Sequence, residues 1–348
     1  MHLTTVQDPT RVDATASDSL LMAIDRGNSG TKIAVSVNGI PLSPFKIPSV
    51  IRSVDTDGVI EVSGKHYVCG DAAIGMTQGT VSTPLRTGDK VAGLSIVIAQ
   101  AIQKISETRP LSSDIEMRLT VSSPFSSDAL VTQIKSEIMT LCTGFTVNGK
   151  TYRATVSSVS TAFEGAVLLE SERKFNGLID IGFGTILAAY RGASSKVAIA
   201  PVMGGDLGGC NLVLNGLLND PSFLAAVKKS GASAPPSAER LSSRLSEGVT
   251  TLRGIDLKPL LKTHLKVLKT RIEDAAVSVK TELRLSTEDY DLIPKIALVG
   301  GGAALMRMLL SQDQIDSWSK KNSIELIDQP DFQTAMAMHQ IAHMGGSL

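Results

Sequence analysis

The chain has 348 residues, with hydrophobic side chains at 43% and charged ones at 20%, a balance that fits a globular protein. That length exceeds what one core usually fills, so two domains are expected. Lys and Arg total 34, as do Asp and Glu, which excludes a global electrostatic footprint for nucleic acid or an acidic membrane.

Residues 1–19 mix Thr, Asp, Ser and Val without an apolar stretch, so they read as a disordered arm and not a signal peptide. From Leu20 an apolar run leads to Asp25 and the turn Gly27-Asn28-Ser29-Gly30-Thr31-Lys32, after which a second strand continues to Val37. Such a turn can aim several backbone N–H groups at an anion. Asn38-Gly39 marks a further hairpin. Residues 48–88, broken by Pro48, Gly58, Gly64 and Gly70, read as an inserted small subdomain of short strands. Val91, Leu94, Ile98, Ile102 and Ile105 have helical spacing. Met117–Val121 reads as a strand, and Ser127-Asp128 as the start of a helix reaching about Leu141. A hairpin through Asn148-Gly149 and a helix from Ser160 to Arg173 complete the first half.

The second half repeats the order. Strands at 177–181, 186–190 and 196–202 enclose a second turn, Asp180-Ile181-Gly182-Phe183-Gly184-Thr185. A glycine-rich turn at Gly204, Gly205 and Asp206 precedes a helix carrying Leu212, Leu214 and Leu217. Residues 229–256, rich in Ser, Gly, Ala and Pro, read as a partly mobile surface insertion. A long amphipathic helix follows from Lys258 to about Leu285. A strand then enters the run Gly300-Gly301-Gly302, and a last helix spans Asp331–Met344. The fold expected is α/β in two similar halves.

Either aspartate could act through a cation or merely cap its turn. Two such turns with equivalent flanks favour the cation, with Asp25 and Asp180 facing it from opposite halves. Lys32 reads as a phosphate contact or as a solvated strand end. The pattern is neither a P-loop nor a dinucleotide fingerprint, because the lysine spacing and the direct glycine-to-helix step are missing. Cys69, Cys142 and Cys210 are isolated, odd in number and outside metal-ligand spacing, as expected of reduced cytoplasmic thiols. No apolar run approaches the roughly 18 residues of a membrane span.

These motifs together resemble the actin-like ATPase superfamily, whose ParM-like plasmid-segregation actins are the nearest match. The first turn resembles its phosphate-1 motif, Asp180–Thr185 its phosphate-2 motif, Val299–Ala303 its adenosine motif, and Pro330–Ala335 its second connecting segment. The resemblance implies a duplicated, ribonuclease H-like fold with a nucleotide cleft between lobe I (20–175, completed by helix 330–348) and lobe II (176–329). It implies ATP or GTP with Mg²⁺ held by Asp25 and Asp180. It places a water-positioning carboxylate on the 160–170 helix, where Glu164 is the acidic candidate, although aligning Gly165-Ala166 with the family's small pair points instead to Thr161 or Ala162. Lys280 stands where relatives pack a lysine against adenine, or is an exposed helix lysine.

Three functions are compatible with this resemblance. The first is a filament-forming ATPase that moves DNA through an adaptor protein, binding no nucleic acid itself. The second is a non-polymerising scaffold in cell shape or division, and the third is a small-molecule kinase. The missing substrate-pocket aspartate weighs against the kinase.

Overall fold

The computed structural model describes residues 17–345 except 56–57, 77, 83, 85–88, 124–127 and 203–207. Two sheets with the same strand order organise it. In lobe I, Asp18–Arg26 pairs antiparallel with Gly30–Val37 on one side and parallel with Asp114–Ser123 on the other. Ile40–Pro41 and Phe45–Pro48 extend the first side, and Lys150–Phe163 extends the second in parallel. In lobe II, Gly177–Ile181 pairs antiparallel with Ile186–Arg191, which pairs with Val197–Ala200. On its other side lie Ile296–Val299 and Ile324–Leu326, both parallel. Each half is thus a three-strand meander followed by two parallel strands.

Packing follows from apolar spacing. The helix Leu94–Thr108 buries Leu94, Val97, Ile98, Ala101, Ile102 and Ile105, an i, i+3, i+4 stripe set against the lobe I sheet. The helix Lys258–Thr287 runs for 30 residues and does the same for lobe II through Leu261, Leu265, Leu268, Ile272 and Val279. Pro259 in its first turn lacks the N–H that would be orphaned there. A third cluster lies between the sheets. Ala23, Ala34, Ala162, Ala297 and Ala335 keep it thin, and Phe175, Leu178 and Met338 fill it. The helix Gln333–His343 packs here against the first lobe I strands, although it follows lobe II in sequence.

Three expectations are revised. The helix expected at 160–173 is a strand to Phe163, a turn at Gly165 (φ 73°), and a helix only from Val167 to Ser171. Thr151, Tyr152, Thr155, Val156, Val159 and Thr161, β-branched or aromatic, favour the extended chain. Residues 229–256 contain the helix Ala238–Ser246 and a small hairpin, with Leu241 and Leu245 buried in the lobe II core. Asp18 and Ser19, assigned to the arm, already belong to the first strand, while residues 1–16 and Ser127 lie outside the described residues. Among the described residues no helix is long and apolar enough to cross a membrane.

Candidate functional site

The two turns close in the same way. Gly27 N–H donates to the Gly30 carbonyl at 3.2 Å, and Gly182 N–H donates to the Thr185 carbonyl at 2.9 Å. Each turn is then anchored from outside. The Ser49 hydroxyl donates to the Gly27 carbonyl at 2.8 Å. In lobe II the Gly208, Cys210 and Asn211 N–H groups donate to the carbonyls of Gly184, Gly182 and Phe183. Those amides therefore serve the turn and are not free for an anion. The turns meet tip to tip, since a Cβ on Gly184 would lie 3.2 Å from Asn28 Nδ2.

Between them lies a cavity of 370 Å³. Asp25, Gly27, Asn28, Ser29, Lys32, Glu164, Asp180, Gly182, Phe183, Thr185 and Gly301 line it. One side is polar and charged. The other is apolar, built from Leu214, Leu245, Ala304, Leu305 and Met308 with Ser242 and Ser246. The helix Ala238–Ser246 thus forms part of the cleft wall, a role that the low apolar content of its sequence concealed.

Strand register explains the charge pattern. Asp25 is directly opposite Lys32, and Lys32 is directly opposite Lys46, so the three share one face of the sheet. Lys32 donates to Asp25 at 2.9 Å, and Ser122 donates to the other oxygen at 2.7 Å. Burial alone would raise the Asp25 carboxyl; the Lys32 ammonium, those two hydrogen bonds and Lys90 outweigh it and hold it below the usual range. Burial likewise opposes the Lys32 charge, but Asp25 beside it raises the ammonium above its ordinary value. Among the described residues Lys46 makes no such ion pair, and burial, followed by repulsion from Lys32, pushes it down to about 8.

Asp180 is different. Burial comes first and the nearby Asp25 and Glu164 carboxylates second, and together they push it up to about 7. The Thr334 hydroxyl donates to it at 3.4 Å. Two left-handed glycines leave room for it: a Cβ on Gly300 would fall 2.3 Å from Oδ1, and one on Gly165 would fall 2.9 Å from Oδ2. Glu164 accepts from Lys90 at 2.6 Å, and the Lys90 carbonyl accepts from the fully buried Arg26 at 2.8 Å.

Several expected residues stand elsewhere. Thr31 is buried with its hydroxyl against Ser49 at 3.0 Å, and Gly30 makes room for the Lys46 stem. Gly302 packs on Ile181, so within the triple glycine only Gly301 lines the cavity. Lys280 is not in the cleft: it donates to the Asn322 carbonyl at 2.7 Å, tying two helices together. Glu164 sits on the turn before the short helix. Gly204, Gly205 and Asp206 lie outside the described residues. Sequence reasoning missed Lys46, Lys90 and Arg26. Strand pairing brings Lys46 to the site, and no local motif marks it.

The three carboxylates and their oxygens are hard donors suited to a cation such as Mg²⁺. Among the described residues no three acidic, His or Cys side chains could hold a metal by themselves. A cation here would complete its shell with phosphate oxygens and water. The under-neutralised Asp180 marks where positive charge fits.

The sequence matches no known family model and no curated protein. Solved structures do resemble the fold. A non-polymerisable quadruple mutant of the ParM of pCBH aligns with a TM-score of 0.61 at 18% identity, over 94% of this chain and 99% of that one. The MamK double helical filament aligns at 0.56 and 17%, over 93% and 98%. Bacillus thuringiensis ParM with AMPPNP aligns at 0.53 and 12%, over 94% and 98%. The chain therefore has the actin-like fold, and its likeness extends over nearly the full length of these ParM and MamK structures.

Proposed function

We propose that this chain is a filament-forming, nucleoside-triphosphate-hydrolysing protein of the actin-like type, working in the cytoplasm. The observation that carries this reading is the meeting of two equivalent turns over one cavity that is charged at one end and apolar at the other. A nucleotide has that same division, with phosphates at one end and a flat apolar base at the other. The likeness to ParM with AMPPNP and to the MamK filament supports it.

In this reading the N–H groups of Asn28 and Ser29 and the ammonium groups of Lys32 and Lys46 bind the phosphates. Asp25 and Asp180 would hold Mg²⁺, which when bound neutralises phosphate charge. Glu164, fixed by Lys90, orients water, so rate enhancement comes from positioning and electrostatics. ATP and GTP are both compatible with the apolar wall. By the same likeness, the filament would move or segregate DNA through a DNA-binding adaptor protein.

The test is hydrolysis and pelleting of the purified protein with ATP or GTP and Mg²⁺. Sedimenting filaments that require nucleotide are expected, and Asp180→Ala should lower turnover by about 10²-fold or more. Full turnover in both Asp25→Ala and Asp180→Ala would sink the assigned chemistry. Turnover without any polymer would favour the non-polymerising scaffold.

A further inference from the structure

The helix Lys258–Thr287 carries features of opposite chemistry at its two ends. Its 30 residues span about 45 Å at about 1.5 Å each. Just before its N-terminus, the hairpin of Thr251–Leu252 and Ile255–Asp256 helps to line a cavity of 410 Å³. Val227, Pro235, Leu252 and Ile255 give it apolar walls, and Arg240, Arg244 and Arg253 also line it. The ion pair of Arg244 is an exposed one with Glu247 at 3.6 Å, a contact worth little in water. Arg253 occupies the hairpin turn at φ 49° and is exposed.

Just beyond the C-terminus comes Glu288-Asp289-Tyr290-Asp291-Leu292-Ile293. Tyr290 is 68% exposed and Ile293 79%, the two most exposed large apolar side chains among the described residues of lobe II. Glu288, Asp289 and Asp291 beside them are exposed as well. The segment holds a defined shape: Asp291 N–H donates to the Asp289 carboxylate at 3.1 Å, and Leu292 N–H to the Asp289 carbonyl at 3.4 Å. An acidic knob with an apolar tip thus stands at one end of the helix, and an apolar socket with three arginines at the other.

We propose that the Glu288–Ile293 knob of one copy docks in the arginine-lined socket of the next copy. Tyr290 and Ile293 lose contact with water there, while three carboxylates face three guanidinium groups. Because knob and socket lie at opposite ends of one rigid helix, the contact is head to tail, leaves a free knob and a free socket, and propagates. This inference rests on the filament reading and supplies its longitudinal contact.

The test uses the full chain, sedimented over a range of concentrations with and without ATP and Mg²⁺. Arg253→Glu and Asp291→Arg should each raise the concentration needed for assembly by about tenfold or more. Mixing the two variants, or combining both changes in one chain, should restore it, because each altered knob then meets an altered socket. Retention of a fluorescent ATP analogue should be unchanged in each, since neither residue lines the cleft. Nucleotide-dependent filaments that ignore both substitutions would overturn the knob and socket and leave the proposed function standing. Assembly that needs no nucleotide but is lost in the single variants and restored by mixing would support the contact and overturn the nucleotide-driven function. A wild-type chain that stays monomeric at every concentration would overturn the contact outright.

Discussion

The two cleft-lining turns close in the same way and have opposite electrostatics. In lobe I the position across the strand pair from Asp25 is Lys32; in lobe II the position across from Asp180 is Leu187. On the other side Ser122 donates to Asp25, whereas Asp180 is aligned with Val299. One aspartate is held ionised by its neighbours, and the other is driven toward its neutral form by burial and by facing carboxylates. The two lobes therefore share the scaffold that presents an acid at a strand end, while the neighbours around each acid set its charge. The lobe I acid carries its own counter-ion. Among the described residues the lobe II acid has no ion pair of its own, and Lys32 and Lys90 only partly offset its burial.

The largest effect that can break this contrast is in lobe I. Asp25→Ala leaves the Lys32 ammonium buried beside the equally uncompensated Lys46, and loss of one partner of a buried pair costs about 3–5 kcal/mol. Chemical denaturation should show that loss, and the double change Asp25→Ala with Lys32→Met should recover much of it. A cost below about 1 kcal/mol, the range of exposed pairs, would mean that the pair is solvated. The next effect sharpens the contrast in lobe II. Gly300 has φ 88°, and an added Cβ would lie 2.3 Å from Asp180 Oδ1 and 2.5 Å from the Ile181 carbonyl. Gly300→Ala should therefore cost about 1–3 kcal/mol, and it should displace Asp180 enough to weaken nucleotide binding. Unchanged binding would detach that glycine from the site.

Much of this was legible from sequence because it is local. An apolar run ending in aspartate and glycines specifies a strand and a tight turn, and finding it twice specified two related halves. The Asn38-Gly39 and Asn148-Gly149 hairpins were legible for the same reason, as each pair takes positive φ. What failed was whatever depends on partners distant in sequence. Lys46 joins the site only because its strand pairs beside Lys32. The helix Ala238–Ser246 was hidden because its seven other residues are polar or small and only Leu241 and Leu245 reach the core. Lys280 was left open between adenine packing and an ordinary helix lysine, since family position fixed its helix but not the face it occupies, which packs toward Asn322. The 160–173 segment begins as the end of a long strand, which its own few residues do not announce, and the break at Gly165 became visible only once that glycine was seen against Asp180.

The last test reads the contrast directly through pH. The Asp180 carboxyl has an ordinary value of 3.8 and is pushed up to about 7 in the folded, nucleotide-free protein. Below about pH 4 it is protonated in both folded and unfolded chains and contributes nothing. Between there and about 7 the folded chain binds more protons than the unfolded one, so stability falls as pH rises. Above that the penalty is complete and constant. Asp25, whose carboxyl is lowered, has the opposite sign: its contribution is present above its unfolded value and is lost as pH falls through its folded value. Asp180→Asn removes the first dependence and leaves the second. The stability of that variant relative to wild type, measured by denaturation without nucleotide, should therefore improve steadily from about pH 4 to about pH 7 and then level off. A relative stability that stays flat across the range would show that Asp180 is already compensated, and the two lobes would then not differ in the way described.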